Sequence, residues 1–325
     1  MLRRTFSSRP FFLLLFTLFV ATKAKSNDQQ KVKTGIYLMN VYDLDINTHS
    51  YYADFYIWFK WTGDRDPSNI EFVNAVEKWG QTMIPFYEAP KEMPDGSMYN
   101  GMRIEGRFYH PFELSRFPLD HHTLQIQIEN PDYPLDSLIY VPDSNAVFVR
   151  EGFWLPGWDI GKVHSKSHKN IYPTNFGEPG GRLTTYSNFT FDLPISRPMN
   201  YFLLKLFLPL LIVMLLSLGA FYIHPERTDA RISVPIGSLL AVVFLQQSYD
   251  SALPDVGYMV LMDKIYLLAY ALELLIMLRV IMVGNGLSRS KKQPDYTAIR
   301  RNDIRYFWLY ISLMMAGTAL LIFIS

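Results

Sequence analysis

The chain contains no cysteine. That absence removes disulfide frameworks and thiolate metal sites together, so any exported part of the molecule must be held by packing alone. There is also no excess of charge of either sign. The 31 Lys and Arg residues face 30 Asp and Glu, and a net charge of +1 offers no electrostatic footprint for nucleic acid. Hydrolase signatures are missing as well, since neither a His-Glu-x-x-His nor a Gly-x-Ser-x-Gly run occurs. Asp120, His121 and His122 stand adjacent at the start of a strand-like run, which sends the two imidazoles to opposite faces and argues against a metal centre. The residues therefore point to no enzyme, no metal and no cofactor.

What is abundant is apolar and aromatic, 49% and 15% of 325 residues, and it is unevenly spread. Residues 1–24 read as a secretory signal: Arg3, Arg4 and Arg9 precede an apolar run from Phe11 to Val20 that is too short to span a bilayer, and small residues follow at Thr22 and Ala24. Residues 25–199 are polar, rich in Tyr and Pro, and broken into short runs. In residues 123–129, Leu124, Ile126 and Ile128 alternate with Gln125, Gln127 and Glu129, the period of a half-buried strand. Similar runs at 36–43, 52–61, 138–141, 146–149, 158–164 and 183–193 are separated by Pro, Gly, Asn and Asp. Many short strands between turn signals predict an all-β, immunoglobulin-like sandwich, with one helix over 69–79.

Residues 200–325 predict an all-α, four-helix transmembrane domain with spans at 201–223, 230–249, 259–283 and 306–324, each near the ~20 residues a bilayer requires. Arg289, Lys291, Lys292, Arg300, Arg301 and Arg305 fall between the third and fourth spans, whereas Asp250 and Asp255 lie between the second and third. This asymmetry places the basic linker in the cytoplasm and the β domain outside it. The second span carries a stripe of its own. Asp229, Ser233, Gly237, Leu240, Phe244, Gln247 and Ser251 recur in steps of three and four, the period of one helix face. Hydrocarbon cannot satisfy carboxylate, hydroxyl or amide groups, so the stripe must face water or another polar surface. Packing of small residues against a neighbouring helix is the other use of such a stripe.

The run from His110 to Leu124, with Phe117-Pro118-Leu119-Asp120 at its core, resembles the signature loop of the pentameric ligand-gated ion channels, the Cys-loop receptor superfamily, in the cysteine-free form of its bacterial members. His110 and Leu124 stand where animal members have their two cysteines. Trp61-Thr62-Gly63, Arg197, Pro209, Ala230-Arg231, Leu253-Pro254, Tyr258 and Asp263 match the family in the same order. The resemblance implies a homopentamer in the lipid bilayer, opened by a small-molecule agonist or protons and permeable to inorganic cations. It makes Asp229, Ser233, Gly237, Leu240, Phe244 and Gln247 pore-lining, with Asp229 setting selectivity; anion-selective relatives usually have Pro at that position. Asp45, Phe117, Pro118, Asp120, Arg197 and Pro254 would couple the two domains. Asp120 is too costly to bury alone, and Arg197 at the junction is its expected partner. An agonist would lie between subunits in a box of aromatics, with Tyr56 matching the one supplied by the complementary face, Phe86 or Tyr87 supplying another, Tyr133 two residues after Pro131, and Tyr172 and Phe176 in the capping loop between the last two strands. Pro131 stands where many members have an aromatic residue. His110, His121 and His122 crowd the loop and would pack differently when charged, or simply lie exposed. A non-conducting, membrane-tethered binding protein on the same scaffold is the alternative reading, to which Pro235 and Phe244 lend some weight.

Overall fold

The computed structural model describes residues 29–177, 184–251, 253–289 and 293–324. The expected signal segment lies outside the described residues. Twelve strands form two sheets: β1 (Gln30–Asp45), β2 (Ser50–Trp61), β3 (Glu71–Phe72), β4 (Ala75–Val76), β5 (Thr82–Pro85), β6 (Lys91–Glu92), β7 (Met98–Tyr109), β8 (His121–Glu129), β9 (Leu138–Val149), β10 (Asp159–Ile160), β11 (His164–Ile171) and β12 (Thr185–Ser196). One sheet runs β4-β7-β2-β1-β9, with β5 and β6 also on β7, and the other runs β10-β12-β8-β3, with β11 on β12. The inner faces meet over a core that includes Ile36, Phe55, Phe59, Ile104, Phe108, Ile126, Tyr140 and Phe191, each almost fully buried. In β8 the alternation read from the sequence is the burial pattern itself, with Leu124, Ile126 and Ile128 inside.

No α-helix forms over 69–79. Ile70 and Phe72 are both buried, a two-residue period, and Phe72 sets its ring edge-on to Phe55 and Phe108. The Asn74 amide donates to the Gln125 carbonyl at 2.6 Å and its side-chain oxygen accepts from the Gln127 N–H at 3.1 Å, tying the segment to β8. Burial against a sheet thus overrides the helical propensity of the segment.

Four helices long and apolar enough to cross a membrane follow the sandwich. The first crossing, Tyr201–Tyr222, opens with a π-helical stretch (Tyr201–Phe207), continues as α1 (Leu208–Leu218) and closes with a 3₁₀ turn (Gly219–Tyr222). Next come α2 (Thr228–Asp250), α3 (Leu261–Arg289) and α4 (Tyr296–Ile324). The protein is therefore a multi-pass membrane protein with an extracellular β domain. The basic linker expected over 284–305 is largely helical, because α3 continues to Arg289 and α4 begins at Tyr296. At 29 residues each of these helices is about 43 Å long, well beyond a hydrocarbon core of about 30 Å. Polar residues end the apolar stretch without ending the helix, whose backbone bonds remain internal in water as in lipid.

Candidate functional site

Three regions gather the residues singled out above. The first is α2. Asp229, Ser233, Gly237, Leu240, Phe244, Gln247 and Ser251 are all exposed, Leu240 at 56% and Phe244 at 61%. Arg231, Pro235, Ser238, Val242 and Tyr249 occupy the buried side. The stripe is thus directed away from the helices that pack on α2, so it is not consumed in packing within the protomer. Pro235 sits on that buried side of an unbroken helix. Phe244 also borders an apolar cavity shared with Pro209 and Ile212 of α1.

The second region is the junction between sheet and membrane. Asp120 is 1% exposed, and Arg197 Nε donates to its Oδ1 at 2.9 Å, bringing together the acid and base expected to pair. A third partner was not foreseen. His122 Nε2 lies 2.8 Å from Asp120 Oδ2, and the His122 ring is buried among His110, Phe112 and Trp158. The Arg197 guanidinium is held over the rings of Trp158 at 4.4 Å and Phe117 at 4.9 Å. His121 is exposed, as the strand period requires, but His110 and His122 are not. Burial and the neighbouring His122 and His49 push the His110 imidazole down to about 4.

The same loop grips the membrane domain through backbone. The Leu261 N–H donates to the Ser115 carbonyl at 2.9 Å, Met262 N–H to the Phe117 carbonyl at 3.2 Å, and Leu114 N–H to the Tyr258 hydroxyl at 3.0 Å. The Phe117 ring stacks with Tyr249 of α2 at 6.4 Å. Pro118 is buried beside Phe117 in this contact. Pro254 is half-buried in the α2–α3 linker. Asp45 turns inward on its own hairpin, accepting from the Asn47 N–H and the Thr48 hydroxyl, both at 2.9 Å. These bonds, the Thr48 hydroxyl first, hold the Asp45 carboxyl below its usual range. It therefore shapes the β1–β2 turn and is not brought to Arg197.

The third region is a cavity of about 430 Å³ bordered by Glu71, Glu129, Pro131, Tyr172, Phe176 and Tyr186. Tyr172 meets Phe176 and Tyr186 edge-on, at 5.3 and 6.0 Å. Glu129 is 5% exposed; it accepts from Asn170 at 2.7 Å, Asn188 at 2.9 Å and the Tyr172 hydroxyl at 2.9 Å. No basic side chain pairs with it among the described residues. Burial, then the bond to Glu129, pushes the Tyr172 phenol up to about 12. Tyr133 packs toward the sandwich core instead, its N–H donating to the Asn130 side chain at 3.0 Å.

No family model matches the chain. Among curated proteins it is 24% identical over 217 residues to "Gamma-aminobutyric acid receptor subunit beta-4" of Gallus gallus, covering 65% of this chain and 43% of the relative. It is 27% identical over 175 residues to "Gamma-aminobutyric acid receptor subunit beta" of Lymnaea stagnalis, covering 53% and 33%. To the "Proton-gated ion channel" of Gloeobacter violaceus it is 24% identical over 259 residues, covering 74% and 68%. The match thus spans less than half the length of each of the two gamma-aminobutyric acid receptor subunits. With a β-sandwich leading into four apolar helices, these likenesses agree with the loop motif. The chain is a homologue of the pentameric ligand-gated ion channels.

In this channel homologue the remaining sequence-predicted ligand residues lie on the other sheet, away from the cavity. The Tyr56 and Phe86 rings are 5.9 Å apart on β2 and the segment after β5, and Tyr87 meets Tyr99 at 6.5 Å. The Arg103 guanidinium covers Tyr56 at 5.6 Å and pairs with Asp54 at 2.8 Å. One protomer therefore presents two separate aromatic faces. Sequence reading missed Glu129, whose place in a regular alternation of β8 gave no sign of its buried neighbours. It also missed Trp158 and Tyr249, since aromatic residues in this chain are too common to single out.

Proposed function

We propose that the protein is a cation-selective ion channel, a homopentamer whose five α2 helices line the pore, opened by a small cationic ligand or by protons. The observation that carries this reading is the division of α2 into a buried side and a stripe left wholly exposed. An exposed stripe ending in Asp229 and Gln247 cannot face lipid without leaving polar groups unsolvated. Closed cyclic symmetry turns it onto a common aqueous axis, and the resemblance to the pentameric channels implies the number five. Asp229 repeated around the inner mouth would favour cations.

The ligand chemistry follows from Glu129. A carboxylate buried under three neutral donors, ringed by Tyr172, Phe176 and Tyr186, is a negative site in an aromatic cage, which suits an organic ammonium ion. Two of the relatives are named for an amino acid with an amine and one for protons. The test is current through the purified chain in planar bilayers, scanned over pH and a panel of primary amines. Glu129→Gln keeps the shape and removes the charge, so it should shift amine activation by about tenfold or more while leaving any proton response in place. Pentamers that insert but pass no current under any of these conditions would favour the non-conducting alternative, for which the exposed Phe244 is the one supporting feature.

A further inference from the structure

Glu273 lies twelve residues into α3, about 18 Å along the helix from Leu261, whose N–H is bonded to the sandwich, and so deep within the apolar crossing. Leu274 and Leu275, next in sequence, are exposed on the outer side of the helix, whereas Glu273 is 2% exposed. Its Oε2 accepts from the Ser217 hydroxyl of α1 at 2.6 Å, and its Oε1, equally shut off from solvent, meets no donor. Ser217 is itself fully buried. The inward neighbours of Glu273 on α3 are Ala269, Leu272 and Ile276, and on α1 Met214 and Leu218 flank Ser217, all of them buried. One carboxyl and one hydroxyl thus join two helices inside apolar packing.

Among the described residues no basic side chain pairs with this carboxyl. Arg279 of α3 is six residues, or about 9 Å of helix, further inward, and its Nη2 donates to Asp303 Oδ1 of α4 at 3.1 Å. Arg231 of α2 donates to the other oxygen of Asp303 at 2.6 Å. The remaining titratable groups of the packed helices have partners of their own: the Tyr270 hydroxyl donates to Gln246 of α2, the Tyr249 hydroxyl of α2 to Asp263, and the Tyr310 hydroxyl of α4 to the Leu275 carbonyl at 3.5 Å, while Tyr266 stacks on Tyr249 at 5.2 Å. The segment of α1 carries no ionisable residue. An ionised carboxylate at this depth needs a cation or several donors, and one hydroxyl supplies neither. A carboxylic acid needs less. Its carbonyl oxygen takes the hydrogen of Ser217, and its own O–H fills the second oxygen, which is the one left without a donor.

We propose that Glu273 is a proton-binding site inside the membrane domain, with Ser217 holding Oε2 and the exchangeable proton on Oε1, and that release of this proton to water charges the α1–α3 contact and loosens it. Infrared spectra of the full chain in lipid, wild type minus Glu273→Gln, test the site. At neutral pH the difference should contain the C=O stretch of one carboxylic acid per chain, shifting in D₂O, and alkaline buffer should replace it with the paired stretches of a carboxylate. Ser217→Ala, which removes the hydrogen bond, should raise the frequency of that C=O band. Hydrogen exchange tests the loosening: in alkaline buffer the amides of α1 around Ser217 should exchange about tenfold faster in the wild type than in Glu273→Gln, which keeps the shape and cannot ionise. Carboxylate stretches already present at neutral pH would overturn the assignment of the proton. An acid band that survives alkaline buffer would make Glu273 a fixed packing group and overturn the binding site, and equal exchange in the two proteins would overturn the loosening. The site would serve the proton response of the proposed channel, but none of these readouts depends on current, so the inference stands or falls apart from that reading.

Discussion

Asp120 answers to two partners at once. Arg197 Nε reaches both oxygens and His122 meets Oδ2, inside a box of Phe112, Phe117 and Trp158. Removing either charge of the Asp120–Arg197 pair leaves its partner poorly solvated, at a cost of about 3 to 5 kcal/mol. Asp120→Ala and Arg197→Ala should each abolish assembly or activation. The double variant should be far less than additive in a thermal-unfolding cycle; simple additivity would mean that the pair carries no coupling energy. His110 adds a pH term with a definite sign. Its pKa falls from about 6.5 unfolded to about 4 in the fold, so its contribution is complete above the unfolded value and is lost as pH drops through that window. Thermal stability should therefore decline between those limits, and His110→Phe should flatten the decline; an unchanged slope would assign it to other groups. The acid–base pair was legible in the sequence because a buried carboxylate at a domain junction demands a cation. The share taken by His122 was not, because the period of β8 puts His122 on the face of Leu124 and Ile126 but does not tell that the ring there meets Asp120.

At the scale of elements, α2 was the most legible part of the chain, since a helix period imposed on small and polar residues survives any detail of packing. The ends of α3 and α4 were not legible, because hydropathy measures the membrane and not the helix. The segment 69–79 was misread for the related reason that two buried residues, Ile70 and Phe72, decide a short strand whatever the propensity of their neighbours. Leu240 lies mid-stripe between Gly237 and Phe244, all of them exposed in the protomer. In a ring, leucines at this height would each gain about 1.5 to 3 kcal/mol by leaving water, and an apolar constriction blocks ions by dewetting. Leu240→Ser should open the channel at lower agonist or proton concentration and leak without stimulus, with Phe244→Ala the milder change. Recordings in which Phe244→Ala leaks and Leu240→Ser gates normally would move the gate one turn outward.

For the whole molecule, the two aromatic faces of a protomer lie on different sheets, so a closed ring is the arrangement that sets one against the other. Composition and period could announce the sandwich and the four crossings, but nothing in a single chain records which surface meets its neighbour. In the proposed channel, selectivity would be a property of that ring. In a sodium chloride gradient the channel should reverse near the sodium potential, and Asp229→Ala should move the reversal toward zero; reversal at the chloride potential in the wild type would refute the role of Asp229. The loop from His110 to His122 closes by ring packing and is fastened to α3 by main-chain bonds from Leu261 and Met262. Nothing in that closure can be reduced. Assembly and refolding alike should thus be indifferent to thiols, and the protein should mature as readily in a reducing compartment as in an oxidising one.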